Sequence, residues 1–203
     1  MKKIILIVLF ANLLNGSALE ENKKECKNNN ATSCFKVGLE LVSGKNAEDQ
    51  ELKALGLDYI RKACIYGDDK ACDWQGENYF KDTHYKASIP FLKQSCKRKI
   101  KSACEALGTI YRDGLDVRQN DVVSREYYQQ ACELKSGNSC INVSLIYRGG
   151  FGVKKNREKE KLYYKKACDN GIKVGCNNYT KMDNKDKGIA EPSIWEKIKG
   201  VFN

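Results

Sequence analysis

Ten cysteines fall into five pairs of a single spacing: Cys26 and Cys34, Cys64 and Cys72, Cys96 and Cys104, Cys132 and Cys140, Cys168 and Cys176. The first members recur at intervals of 38, 32, 36 and 36. A period near 36 is the mark of a stacked repeat array, in which each unit contacts only its neighbours. A repeat that carries one pair per unit selects the local pairing, Cys26 with Cys34 and so on along the chain. In the chain-entropy account, one bridge closing a loop this short removes about 2.6 kcal/mol of unfolded-chain freedom. Zinc fits this pattern poorly. Structural zinc sites use closer spacings such as C-x2-C, often with histidine, and the chain has a single histidine, His84. No metal and no cofactor is expected.

The flanks of the pairs align as well. Five residues before the first cysteine stands Tyr59, Phe91, Tyr127 or Tyr163, followed by Ile60, Leu92, Tyr128 or Tyr164. Counting from the second cysteine, position +3 is often apolar (Val37, Leu107, Val143, Tyr179) and +4 is small (Gly38, Gly76, Gly108, Ser144). Position +7 is Leu41, Tyr79, Tyr111 or Tyr147. Positions 0, +3, +4 and +7 form one stripe of a 3.6-residue helix. Glycine within that stripe costs helix propensity, so its recurrence predicts a close helix–helix approach. Two helices per unit follow. One starts just before the second cysteine and the other ends near the next first cysteine. Glycine-rich turns join them, as in Asp113-Gly114-Leu115 and Gly149-Gly150-Phe151-Gly152-Val153. Gly67, Gly137 and Gly171 lie between paired cysteines and are expected to supply the left-handed residue at a helix C-terminus. Each bridge then crosses a tight helix–turn–helix. The interval of 32 shortens the chain around Lys81-Asp82-Thr83-His84, where no glycine turn is present and the connection must be abrupt.

The N-terminus reads as an export signal over residues 1–18. Lys2 and Lys3 precede the apolar stretch Ile4 to Leu14, and Gly16-Ser17-Ala18 offers small residues for cleavage. An even cysteine count behind such a signal implies an oxidising destination, secreted or periplasmic. Residues 19–182 form the repeat array. Residues 183–203 are expected to be a polar linker followed by an amphipathic helix from Pro192 to Phe202 that caps the last repeat. That helix is a candidate for contact with a membrane surface, although capping is the favoured reading, because an array end needs a cover. The formal charge is +10, with lysine far outnumbering arginine. This suits solubility, and export argues against a nucleic-acid partner.

The blocks "ACEALGTIYRDGLDV", "SCINVSLIYRGGFGVKKN" and "KLYYKKACDNGIKVGC" resemble Sel-one-like repeats, relatives of the tetratricopeptide repeat. The regular cysteine pairs resemble the Helicobacter cysteine-rich protein family, over roughly residues 26 to 182. The resemblance implies an all-α fold: an α/α superhelix, a tetratricopeptide-like solenoid with one disulfide per repeat. It also implies a secreted protein, labels of penicillin binding and weak β-lactamase activity, and links to host interaction.

The residues themselves give little to a hydrolase. A serine β-lactamase of the penicillin-binding type needs S-x-x-K with S-D-N and K-T-G elements. Only Ser33-Cys34-Phe35-Lys36 fits the first, and the other two are absent from the sequence. With 11 serines and 29 lysines, one such match is within chance. Ser33 also has a structural role open to it, as N-cap of the first repeat helix. A binding role points elsewhere. By analogy with tetratricopeptide arrays, the helix that starts at the second cysteine faces a concave groove through −2, +1, +5 and +8. Those columns hold Asp73, Glu105 and Ile141 at +1, Glu77, Thr109 and Leu145 at +5, and Arg112 and Arg148 at +8. They vary where the core columns repeat, which suits a groove of mixed chemistry. The reading is a monomeric secreted module binding a peptide, a peptidoglycan-like cell-wall fragment or a partner protein, with β-lactam hydrolysis as the alternative.

Overall fold

The computed structural model describes residues 17–43 and 49–189. Residues 1–16 of the expected export signal, and the expected capping helix from Pro192, lie outside these residues. Residues 17–27 are helical (α1). Nine further helices follow: α2 Ala31–Val42, α3 Gln50–Ile65, α4 Asp69–Lys81, α5 Tyr85–Lys97, α6 Lys101–Asp113, α7 Asp121–Glu133, α8 Gly137–Gly149, α9 Arg157–Asp169 and α10 Lys173–Asp186. The fold is an all-α solenoid of helix pairs, each stapled by one disulfide. All five bridges join the cysteines eight residues apart, with Cα–Cα distances of 4.4–4.8 Å. The chain divides into two compact units, up to Ser95 and from Cys96 onward.

Local chemistry explains the helix boundaries. Asn30, Asp49, Asp68, Asn120, Ser136 and Asn156 are N-caps whose side chains accept from backbone N–H groups of the first turn. Ser33 is therefore not the N-cap expected of it. Asn30 holds that place, and its Oδ1 accepts from the Ser33 N–H. The bridge turns share one geometry. The third residue after each first cysteine is left-handed: Asn29, Gly67, Lys99, Lys135 and Gly171. Gly137 does not play this part. Lys135 takes the positive φ of 65°, and Gly137 opens α8 instead, where an added Cβ would lie 2.3 Å from Ile172. Asp183 to Asp186, expected in a polar linker, form the last turn of α10, held to α9 by Arg157 and Lys161.

Each unit has its own core. In the first, Cys26, Cys34, Ile60, Cys64 and Cys72 are buried with Tyr59, Trp74 and Phe91 packed against them. In the second, Tyr128, Cys132, Cys140, Val143, Tyr147 and Tyr163 are buried together. The helices approach closely where small residues meet. A Cβ on Gly38 would lie 2.8 Å from the Gly56 carbonyl, and one on Gly108 would enter the Tyr128 ring. Two of the +4 glycines meet a small residue that stands eight before the next first cysteine: Gly38 meets Gly56, and Gly108 meets Ser124. Ser124 uses the close approach to donate its hydroxyl to the Gly108 carbonyl at 2.8 Å. The +7 and −5 aromatics also meet. Tyr111 stacks on Tyr127 at 5.9 Å, and Tyr147 on Tyr163 at 5.8 Å.

Candidate functional site

The second unit holds a cleft of about 370 Å³ between α6, α7 and α8. Arg112, Asn142, Leu145, Ile146 and Phe151 are among its walls. The glycine turns shape it. Gly114 and Gly150 close α6 and α8 in the left-handed conformation, which glycine adopts without penalty. Gly152, also left-handed, runs so close to α7 that a Cβ would meet Asp121 and Val122. Arg125 donates to the Gly152 carbonyl at 3.3 Å and ties the turn to α7. Phe151 is thereby carried at the cleft edge, 56% exposed.

Arg112 lines the cleft beside the carboxylates of Asp113 and Asp121. It donates from Nε and Nη2 to the two Asp113 carboxylate oxygens, at 2.7 and 2.8 Å. Such a fork fixes a guanidinium plane as well as its charge. The pairing holds the Asp113 carboxyl below its ordinary range and raises Arg112. The guanidinium lies 5.8 Å from the Tyr128 ring, and its Nη1 donates to Asn142 Oδ1 at a long 3.4 Å. Burial raises the Tyr128 phenol, whose oxygen sits 2.9 Å from Thr109 Oγ1.

The eight expected groove residues separate into distinct surroundings. Arg112 and Leu145 line the cleft together. Glu105 accepts from Ser136 Oγ at 2.8 Å, Thr109 bonds Tyr128, and Ile141 packs on the core. These three serve internal contacts. Arg148 is exposed. Asp73 and Glu77 belong to the first unit, where exposed Glu77 pairs with Lys81 at 3.7 Å. Ser33 is buried, and its hydroxyl donates to the Glu25 carboxylate. Lys36 is exposed on the same helix. His84 is exposed in the α4–α5 turn, edge-on to Tyr79. Among the described residues no group of three or more His, Cys, Asp or Glu is arranged to hold a metal ion. None of their helices is long and apolar enough to cross a membrane.

Sequence reasoning missed Asn142 and Phe151 as cleft residues. Phe151 had a readable signal, an aromatic inside a glycine-rich turn where polar residues are the rule. Also missed was a basic stretch at the α5–α6 turn. Residues 83–104 contain no acidic residue, and Lys97, Arg98, Lys99 and Lys101 crowd together there.

The Sel1 repeat model matches residues 101–136 and 137–172. Those limits coincide with α6 to the end of the α7 turn, and α8 to the end of the α9 turn. In that phase Cys132–Cys140 spans the junction between one repeat and the next. Two solved structures share the fold. A Sel1 repeat protein from Oxalobacter formigenes superposes with a TM-score of 0.60 at 20% identity, over 81% of this chain and 66% of that one. A protective antigen of uropathogenic Escherichia coli strains gives 0.59 at 18% identity, over 82% of this chain and 36% of that one. This chain thus spans less than two thirds of either. Helicobacter pylori cysteine rich protein B aligns at 22% identity over 80% of this chain and 92% of that one, with a TM-score of 0.34. No curated protein matches the sequence. The fold is that of Sel1-like helix pairs.

Proposed function

We propose that this chain is an exported binding module whose second unit seats an extended peptide in the α6–α8 cleft. The observation that carries the reading is the cleft itself, which sets a fixed guanidinium beside exposed apolar side chains. Leu145 and Phe151 offer surface for an apolar side chain. The Asn142 carboxamide both donates and accepts, as a peptide backbone requires. Arg112 is held by Asp113, so its long bond to Asn142 can be exchanged for a ligand carbonyl or carboxylate at little cost in ordering. The disulfides support export, since paired thiols persist in oxidising compartments.

A peptide-display selection on the oxidised protein, followed by calorimetry, tests this. Phe151→Ala and Leu145→Ala should each weaken a selected peptide by roughly tenfold or more without lowering thermal stability. Peptides whose affinity ignores both substitutions would place the function elsewhere. Export is checked separately, by fractionating cells that express the full chain. The hydrolase alternative has its own readout: turnover of a chromogenic β-lactam that vanishes in Ser33→Ala. Because the Ser33 hydroxyl is buried and already donating to a carboxylate, no turnover is expected.

A further inference from the structure

We infer that the α5–α6 bridge turn is a docking site for an anionic, sulfate- or carboxylate-bearing polysaccharide. Three observations meet there. The first is charge. Lys97, Lys99 and Lys101 are all exposed, within a stretch that has no acidic residue between Thr83 and Cys104. Short runs dense in lysine and arginine are the usual electrostatic footprint for polyanions.

The second is shape. Lys97 and Lys99 line a cleft of about 460 Å³ together with Cys96, Gln130, Glu133 and Leu134. The cleft mixes donors (the lysines), an acceptor (Glu133) and a carboxamide that does both. That is what a hydroxyl-rich chain with anionic substituents needs. The Gln130 Oε1 rests 3.4 Å from Cys96 Sγ, and both residues line the cleft.

The third is backbone conformation. Lys99 sits at φ +67°, in the left-handed region that glycine fills at the equivalent places in other bridge turns, Gly67 and Gly171. All five bridge turns hold a left-handed residue at this place, so what sets this one apart is the lysine that fills it, at a cost in stability that glycine would not have. The left-handed lysine and a lysine-lined cleft recur one repeat later, although there Glu133 and Asp169 balance the two lysines. Lys135, at φ +65°, and Lys166 line a second cleft of about 300 Å³ with Cys132, Glu133 and Asp169. Two clefts one repeat apart suit a ligand that is itself a repeating polymer.

The choice of a polysaccharide over a nucleic acid rests on the export reading, which fractionation tests independently. Binding is measured with the full-length oxidised protein and size-defined heparin oligosaccharides, by calorimetry at two salt concentrations. A single-stranded DNA oligonucleotide of matched charge is the competitor. The Lys97→Glu/Lys99→Glu protein should bind heparin at least about tenfold more weakly. The charge-matched control Lys154→Glu/Lys155→Glu, in the other lysine-rich stretch, should change affinity less than about twofold. Lys99→Gly guards against misfolding. It should weaken binding while leaving the thermal midpoint equal or higher, because glycine relieves the left-handed turn. Equal losses in the control variant would overturn the site. Undiminished binding by Lys97→Glu/Lys99→Glu would do the same. DNA binding as tight as heparin binding would overturn the ligand class.

Discussion

The hairpin α6/α7 and the hairpin α4/α5 follow one plan but differ in quality. In α6/α7 position +3 is Leu107, fully buried, and Gly114 turns the chain. Ser124 and Tyr128 both bond across the helix pair. In α4/α5 position +3 is Gln75, also fully buried, and neither its Nε2 nor its Oε1 has a hydrogen-bond partner. The turn is three residues long, with Thr83 at φ +62° in place of a glycine. Pro90 sits within α5, where it withholds an N–H from the helix ladder. The disulfide spacing is the same in both. A staple of fixed geometry thus lets the packing between staples depart from the consensus without losing register.

The sharpest way to break the comparison is to exchange the +3 residues. Leu107→Gln should destabilise the protein by about 3 kcal/mol or more, from lost apolar burial plus an unpaired amide. Gln75→Leu should stabilise by about 1–2 kcal/mol, because the amide there has no bonds to lose. Urea unfolding of oxidised protein measures both. A loss of stability in Gln75→Leu would mean that the amide is satisfied in solution. The glycines come next. Gly108→Ala drives a Cβ to within 2.6 Å of the Tyr128 ring and should cost about 2 kcal/mol. At Gly76 the nearest atom is the tip of Leu92 at 3.1 Å, so Gly76→Ala should change stability by less than about 1 kcal/mol. Equal costs at the two sites would show that the hairpins are packed alike. Thr83→Gly should add about 1 kcal/mol, since a β-branched residue resists the left-handed conformation. Thermal unfolding that leaves the midpoint unmoved would contradict this.

The repeat, the bridges and the core stripe were legible because one geometric demand recurs in five places. The cysteine pair repeats five times, and the small +4 residue and the aromatic at −5 four times each at the same offset. The small residues at −8 hid among variable neighbours, and the contacts of Gly56 with Gly38 and of Ser124 with Gly108 display their purpose. The left-handed turn residue was misread at Gly137. There the geometry is set by distance from the first cysteine, and Lys135 satisfies it without being glycine. The groove columns were the least legible. Glu105 and Thr109 have the polarity of ligand-facing residues, yet they bond Ser136 and Tyr128. Periodicity says which way a helix position points, but not whether a polar side chain there is already occupied.

The smallest expected effect separates the hairpins by pH. At the end of α6, Arg112 holds the Asp113 carboxyl below the usual carboxylate range. A carboxyl depressed by folding contributes stability that is present above its unfolded pKa and is lost as pH falls through the folded one. The change should therefore appear as pH falls below the ordinary carboxylate range. Both side chains are about two-fifths exposed, so solvent screening keeps the pair under about 1 kcal/mol. A carboxylate at a helix C-terminus also meets the negative end of the helix dipole, which opposes the gain. Asp113→Asn alone reads the difference of these two effects. A double-mutant cycle with Arg112→Met isolates the pair. The coupling should favour the native pair at pH 7 and shrink at pH 2.5. A coupling that is constant with pH would assign the contact to packing on Tyr128 rather than to charge.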